Sequence, residues 1–283
     1  MTLLTVNDLW VRFPTRQGIF AAVRGISFEL GQERLGIVGE SGSGKSMTGR
    51  SILQLIRKPG QVQAAEISFQ GRNLLDLSER EMRSVRGNEI SMVMQDPKFS
   101  LNPVMTIGAQ LMEAYLQHNR DNRQSARKKC IEMLNAVSLR DPERVMNAYP
   151  HEMSGGMGQR IMIAMMLIPD PKILIADEPT SALDVSVQRQ VLSIMDKLVR
   201  DRGMGLIFIS HDLNLVAEFC DRVLIMYAGR IVESCLASKL HEAKHPYTRG
   251  LLNALPRLDN PRAHLEVLQR QDDWMHAPLE QTQ

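Results

Sequence analysis

Apolar and polar residues change their spacing along this chain, and the changes mark out its elements. Leu3-Leu4-Thr5-Val6 and Leu9-Trp10-Val11-Arg12-Phe13 are rich in β-branched, aromatic and apolar residues and precede a Pro/Gly-punctuated stretch. That pattern predicts two short strands. Residues 22–30 read as a further strand, half-buried, because apolar and polar positions alternate from Ile26 onward. Arg34-Leu35-Gly36-Ile37-Val38 is a short apolar run of the kind carried by a parallel strand covered on both faces. A glycine-rich loop follows it, and then a helix expected over about residues 45–56. Residues 66–74 predict an edge hairpin turning at Gln70-Gly71. From about residue 96 to 160 strand patterns give way to helical spacing. Over 124–137, for example, Ala126, Cys130, Ile131, Leu134 and Val137 share one face. Strands return at Ile173-Leu174-Ile175-Ala176 and Leu206-Ile207-Phe208-Ile209. The helix between them carries a buried stripe of Val187, Val191, Leu192, Met195, Leu198 and Val199 and ends before Gly203. A last hairpin, 223–226 with 230–233, turns at Ala228-Gly229, and a tail from about 236 starts helical and then loses pattern. Parallel strands alternating with helices predict an α/β class with a doubly wound core, interrupted by a helical insertion.

Composition narrows the function classes. The chain has 283 residues, 43% of them hydrophobic, which suffices for one large domain or a domain with an insertion. Its 34 Lys+Arg nearly balance 32 Asp+Glu, so a nucleic-acid coat protein and an acidic solvating tail are both excluded. Cys130, Cys220 and Cys235 form no CxxC pair, which leaves neither a disulfide framework nor a zinc ribbon and fits a reducing compartment. The N-terminal residues lack a secretory signal pattern. The longest apolar run, 161–168, falls far short of the ~20 residues a membrane span needs. A soluble protein is expected, with any membrane role exercised through a partner.

The chemistry begins at Gly39-Glu40-Ser41-Gly42-Ser43-Gly44-Lys45-Ser46, which matches G-x-x-x-x-G-K-[ST] between a predicted strand and a predicted helix. Glycines let such a loop curl its N–H groups inward onto phosphate oxygens, and the helix N-terminus adds partial positive charge. Lys45 is then placed for the β- and γ-phosphates and the Ser46 hydroxyl for Mg²⁺. A second site candidate is Asp177-Glu178, at the end of an apolar strand whose C-terminal edge faces the ligand crevice of doubly wound sheets. Asp177 suits the Mg²⁺ shell and Glu178 the polarising of an attacking water. Alone, the pair also reads as a solvated acidic turn before Pro179. His211 follows another strand at the same edge, in reach of a γ-phosphate, although a lone histidine there is more often structural.

Met153-Ser154-Gly155-Gly156-Met157-Gly158-Gln159-Arg160 resembles the signature motif of ATP-binding-cassette (ABC) ATPases, usually LSGGQ. The resemblance implies a P-loop NTPase core with an N-terminal antiparallel β subdomain and an inserted helical subdomain. It also implies head-to-tail dimers, in which Ser154, Gly155 and Gly156 of one subunit meet the γ-phosphate held by the other. The remaining motifs fall in family order. Gln95 resembles the Q-loop glutamine, which senses Mg²⁺ and contacts the transport partner. Ser181-Ala182-Leu183-Asp184 resembles the D-loop, and His211 the switch histidine. Layout by resemblance is 1–95 with 161–235 for the ATPase core and β subdomain, 96–160 for the helical signature subdomain, and 236–283 for a C-terminal family extension. Adenine in these ATPases stacks on an aromatic residue before the phosphate loop; Phe13 and Phe20 are the candidates, Phe20 being nearer the strand that begins at about Ala22.

Gln95-Asp96-Pro97, Ser100-Leu101-Asn102-Pro103, Tyr149-Pro150-His151-Glu152 and His245-Pro246-Tyr247-Thr248 resemble the peptide/nickel importer branch. Members drive uptake with ATP and Mg²⁺ on the cytoplasmic face of the bacterial inner membrane. They work beside two permease subunits, a periplasmic solute-binding protein and a second ATPase, usually a paralogue. Met157 replaces the common glutamine, as it often does in this branch. No cysteine follows Cys235, so the iron–sulfur cluster of the cysteine-rich tail of many peptide members is not expected, which shifts the expected cargo towards nickel, metallophore or other small solutes and leaves peptides open. The alternative reading is a non-transport ABC ATPase, either a phosphonate-degradation assembly factor or a nucleic-acid or translation ATPase. Neither a long coiled-coil insertion nor a basic excess supports the latter. The 18 methionines fit adaptable packing. His241, His245, His264 and His276 lack metal-ligand spacing.

Overall fold

The computed structural model describes residues 1–93, 101–181, 183–254, Trp274 and the backbone of Glu280–Thr282. In chain order the strands are β1 (Leu4–Thr15), β2 (Gly18–Leu30), β3 (Arg34–Val38), β4 (Gln61–Gln63), β5 (Glu66–Phe69), β6 (Arg72–Asn73), β7 (Ile90–Val93), β8 (Ile173–Asp177), β9 (Gly205–Ser210), β10 (Arg222–Tyr227), β11 (Arg230–Leu236) and β12 (Glu280–Thr282). The helices are α1 (Lys45–Ile52), α2 (Glu79–Val85), α3 (Ile107–Leu116), α4 (Arg123–Ala136), α5 (Pro142–Asn147), α6 (Gly155–Leu167), α7 (Val185–Asp201), α8 (Leu213–Phe219) and α9 (Pro246–Ala254). The chain forms two compact units, Met1–Asp76 with Ile207–Gln283, and Leu77–Leu206.

In the first unit β1 and β2 pair antiparallel, with Leu4 opposite Leu30, Val6 opposite Phe28 and Val11 opposite Val23. These residues are buried, which fixes the register because a one-residue slip would turn the apolar set into water. The sequence predicts two strands where the structure has one. Asp8 takes φ 49° and the register shifts around it, so the chain bulges and continues as β1. Its N–H donates to Ser27 Oγ across the pair, 2.9 Å. The hairpin of β5 and β6 turns at Gln70-Gly71 as expected, both with positive φ. Beside this sheet lies the buried strand β3, parallel to β10, with Leu35, Ile37 and Val38 inside. Helix α1 stops at Ile52 and not near residue 56. Gln54 takes φ 51° and its side-chain amide donates to the Leu74 carbonyl, a tertiary contact that ends the helix.

In the second unit β7 and β8 pair in parallel and are buried along their whole length, the property that reads as an uninterrupted apolar run. The helices around them start on residues that satisfy orphan N–H groups. Thr106, Asn122, Asp141, Ser154 and Asp184 cap α3 to α7 in turn, each side chain accepting from an amide of the first turn. In α4 the buried face is Ala126, Cys130, Met133 and Leu134. Ile131, expected there, is half-exposed, because the face is set by packing on neighbouring helices. Helix α7 buries Val191, Leu192, Met195, Leu198 and Val199, each worth about 1.5–3 kcal/mol when fully removed from water. Val187, at the end of the expected stripe, is only half-buried.

All three cysteines are buried and unpaired, and burial pushes the thiols of Cys130 and Cys220 up to about 12 and that of Cys235 to about 11. Among the described residues no helix is long and apolar enough to cross a membrane.

Candidate nucleotide site

Residues 39–46 form the loop between β3 and α1 in the first unit. Gly44 is the N-cap of α1 at φ 103°, and a Cβ there would lie 2.5 Å from the Ala22 carbonyl oxygen. Only glycine meets both demands. Helix α1 opens with no side-chain cap and no acidic residue in its first turn, so no side chain of that turn offsets its amide dipoles. Lys45 is 5% exposed, and its ammonium donates to the carbonyls of Gly39 (2.7 Å) and Glu40 (2.8 Å). The Ser43 hydroxyl is buried without a hydrogen-bond partner among the described residues. Ser41 and Gly42 are exposed at the loop's rim, and Ser46 stands in the first turn of α1. A buried cation, an orphaned hydroxyl and an open helix N-terminus fit a phosphate group.

The same unit holds His211, exposed directly after β9. Its neighbours are anchored: Asp212 N–H donates to Ser210 Oγ (3.0 Å), and Asp212 Oδ1 accepts from Leu215 N–H to start α8. Phe20 lies on β2 opposite Phe13 and is 54% exposed, whereas Phe13 packs against the turn at Gly60. The exposed ring is therefore Phe20. The tail contributes a residue that the pattern of the sequence did not single out for the site: Tyr247, whose hydroxyl accepts from Glu40 N–H at 3.1 Å. No local signal reveals that contact, because it joins residues 207 positions apart.

The second unit carries the other motifs. Asp177, 3% exposed, ends β8. Glu178 follows with φ 47°, a left-handed conformation rare for a non-glycine residue, and its carbonyl accepts from Ser181 N–H and Ser181 Oγ. Such strain is retained where surrounding contacts over-determine it, and it clusters at functional turns. Ser154 caps α6, accepting from Met157 N–H at 3.4 Å, and both Ser154 and Gly155 are exposed. Gly156 is held against α7, where a Cβ would lie 2.5 Å from Val187 Cγ1. Asp184 caps α7 by accepting from Val187 N–H, Ser186 N–H and Ser186 Oγ. The Val187 amide first, and then the Ser186 hydroxyl, hold its carboxyl below the usual carboxylate range. Gln95 and Ala182 lie outside the described residues.

A phosphate-loop cassette carrying a capped signature helix is the class these features define. The chain belongs to the ABC transporter family, whose model matches residues 23–181. It is 52% identical over 257 residues to a probable peptide ABC transporter ATP-binding protein of Sinorhizobium fredii, covering 90% of this chain and 77% of that one. To the oligopeptide transport ATP-binding protein OppD of Bacillus subtilis it is 48% identical, over 91% and 73% of the two chains. Its fold is that of an ABC cassette. The dimeric structure of MJ0796, a bacterial ABC transporter cassette, superposes with a TM-score of 0.73 at 26% identity, over 82% of this chain and 97% of that one.

Proposed function

We propose that this chain is the ATP-hydrolysing subunit of a bacterial ABC importer that takes up peptides or related small solutes. The observation that carries this is the pairing, in one chain, of the Lys45 phosphate loop with an exposed signature-helix N-terminus at Ser154 and Gly155. The relatives above are named for peptide transport, which favours peptides over nickel as cargo.

In this reading the loop amides of 41–46, the Lys45 ammonium and the Ser43 hydroxyl hold the triphosphate, and Phe20 offers its exposed face to adenine. Family resemblance assigns Ser46, Asp177 and Gln95 to Mg²⁺, and their side chains carry the hard oxygen donors that ion would take. Mg²⁺ bound there neutralises charge on the phosphate oxygens. Glu178 accepts a proton from the attacking water as that oxygen bonds to the γ-phosphorus and the bond to ADP breaks. His211 contacts the γ-phosphoryl oxygens, and Asp184 belongs to the segment that meets the partner. Ser154, Gly155 and Gly156 cap the nucleotide of a second ATPase subunit, a paralogue or another copy. Segment 96–160 is assigned to the membrane partners, two permease subunits at the cytoplasmic face of the inner membrane, and 236–283 to a family extension of the 1–95 and 161–235 core.

Two measurements test the proposal. The tagged chain is expected to co-purify with two polytopic membrane proteins, and the assembly to hydrolyse ATP faster when peptide-loaded binding protein is added. Glu178→Gln is expected to keep ATP affinity while turnover falls about 10²–10⁴-fold. Isolation without membrane partners, or undiminished turnover by the variant, refutes the corresponding assignment.

A further inference from the structure

We propose that Tyr247 is a positioning residue for the phosphate loop, setting the peptide plane at its first turn and thereby the affinity for the phosphate end of the nucleotide. The proposal rests on reading residues 39–46 as the triphosphate cradle.

The peptide group joining Gly39 to Glu40 is gripped at both ends. Its carbonyl accepts from Lys45 Nζ at 2.7 Å, and its N–H donates to the Tyr247 hydroxyl at 3.1 Å. A trans peptide is planar with its carbonyl and N–H pointing opposite ways, so fixing one end fixes the other. Tyr247 therefore determines where the Gly39 carbonyl aims, and with it the resting place of the ammonium that serves the phosphates.

The tyrosine itself is rigidly placed. Its side chain is fully buried, with the ring 4.6 Å from that of Tyr227 and 5.9 Å from that of Trp274, centroid to centroid. Tyr227 is the last residue of β10, and the turn after it braces the loop by a second route, Gly229 N–H donating to the Ser43 carbonyl at 3.0 Å. At the start of α9 the buried Glu233 carboxylate accepts from the N–H groups of Lys244 (2.7 Å) and His245 (3.3 Å). His245 Nδ1 in turn accepts from Tyr247 N–H at 3.2 Å. A continuous set of hydrogen bonds thus runs from β11 through the His-Pro-Tyr-Thr segment to the phosphate loop. The ring packing alone would hold the tail in place. Among the described contacts, the one made by the hydroxyl is with the loop.

Tyr247→Phe keeps the ring and deletes the contact, so the full-length variant is the probe. Calorimetric titration is expected to show ATP and ADP binding weakened about three- to tenfold, the factor a neutral hydrogen bond supplies. Adenosine, measured by competition, is expected to bind as in the wild type, and amide exchange of the 39–46 segment to quicken. In the assembled transporter KM for ATP rises while kcat is kept, the mark of lost uniform binding. Unchanged ATP affinity in Tyr247→Phe overturns the proposal. So does an equal loss for adenosine, or a loss that merely tracks a fall in melting temperature, since either describes a structural role. Lys45→Ala is the control for the underlying reading: if it too leaves ATP affinity untouched, the cradle assignment is what fails.

Discussion

A Cβ carried by residue 156 would lie 2.5 Å from Val187 Cγ1, closer than nonbonded carbons approach, so the second signature glycine has a packing reason besides any catalytic one. Two effects of Gly156→Ala oppose each other. Alanine in a helix gains at most about 1 kcal/mol over glycine, whereas overpacking a fixed neighbour costs about 1–3 kcal/mol. Val187 is β-branched and within α7, where its χ1 has little freedom to yield. The clash wins, and Gly156→Ala is expected to lower stability by about 1 kcal/mol in chemical denaturation. In a Val187→Ala background the same change becomes neutral or stabilising, and the double-mutant cycle reads the coupling directly. Additive effects of the two changes would show that the contact is not the cause. None of this was legible in the sequence. The motif marks Gly156 as a phosphate-binding residue, while its proximity to Val187 exists only once α6 and α7 are packed.

Among the elements, those with local causes were legible and those with distant causes were not. Helix α7 was read from its stripe, which lies in consecutive turns, whereas Asp184 was named only for its D-loop resemblance and its role as the cap emerged from the structure. The end of α1 was misread, because what stops it is Gln54 reaching the Leu74 carbonyl, and nothing in Leu53-Gln54-Leu55-Ile56 announces that contact. The three-residue strand β12 had no pattern to read at all. The cap of α7 makes a prediction with a definite sign. Hydrogen bonds to the ionised form lower the Asp184 pKa in the folded chain. Its stabilising contribution is therefore complete above the unfolded value of about 4 and is lost as pH falls through the lower native value. Asp184→Asn keeps an acceptor at the cap but removes the charge. The melting-temperature gap between wild type and variant is expected to be widest near pH 6 and to narrow as pH falls below about 4. A gap that stays constant with pH would mean the carboxylate's charge contributes nothing to the cap.

For the molecule as a whole, the order of motifs made the cassette legible, whereas the proposed sharing of a nucleotide with a second subunit turns on which residues are exposed. Gly155 differs from Gly156 in this respect. It is exposed, and among the described residues a Cβ there would meet only Leu183 Cδ2 at 3.9 Å, an ordinary contact. Within one chain, an aspartate at this first helical position is favourable, by about 0.3–1 kcal/mol through the helix dipole. Across a subunit boundary the sign reverses. If the α6 N-terminus caps the partner's γ-phosphate, an added carboxylate faces an anion, and two unit charges about 4 Å apart repel by about 4 kcal/mol at an effective dielectric of 20. The intermolecular term is the larger. Gly155→Asp is thus expected to leave the isolated chain as stable as wild type or slightly more so, with unchanged ATP affinity at its own phosphate loop. In the assembled transporter the same substitution is expected to reduce ATP turnover by well over tenfold and to weaken ATP-dependent closure of the ATPase pair, read by cross-linking between subunits. A variant that assembles, closes and hydrolyses ATP normally would show that the exposed signature helix does not meet a nucleotide, and the shared-site mechanism would have to be abandoned.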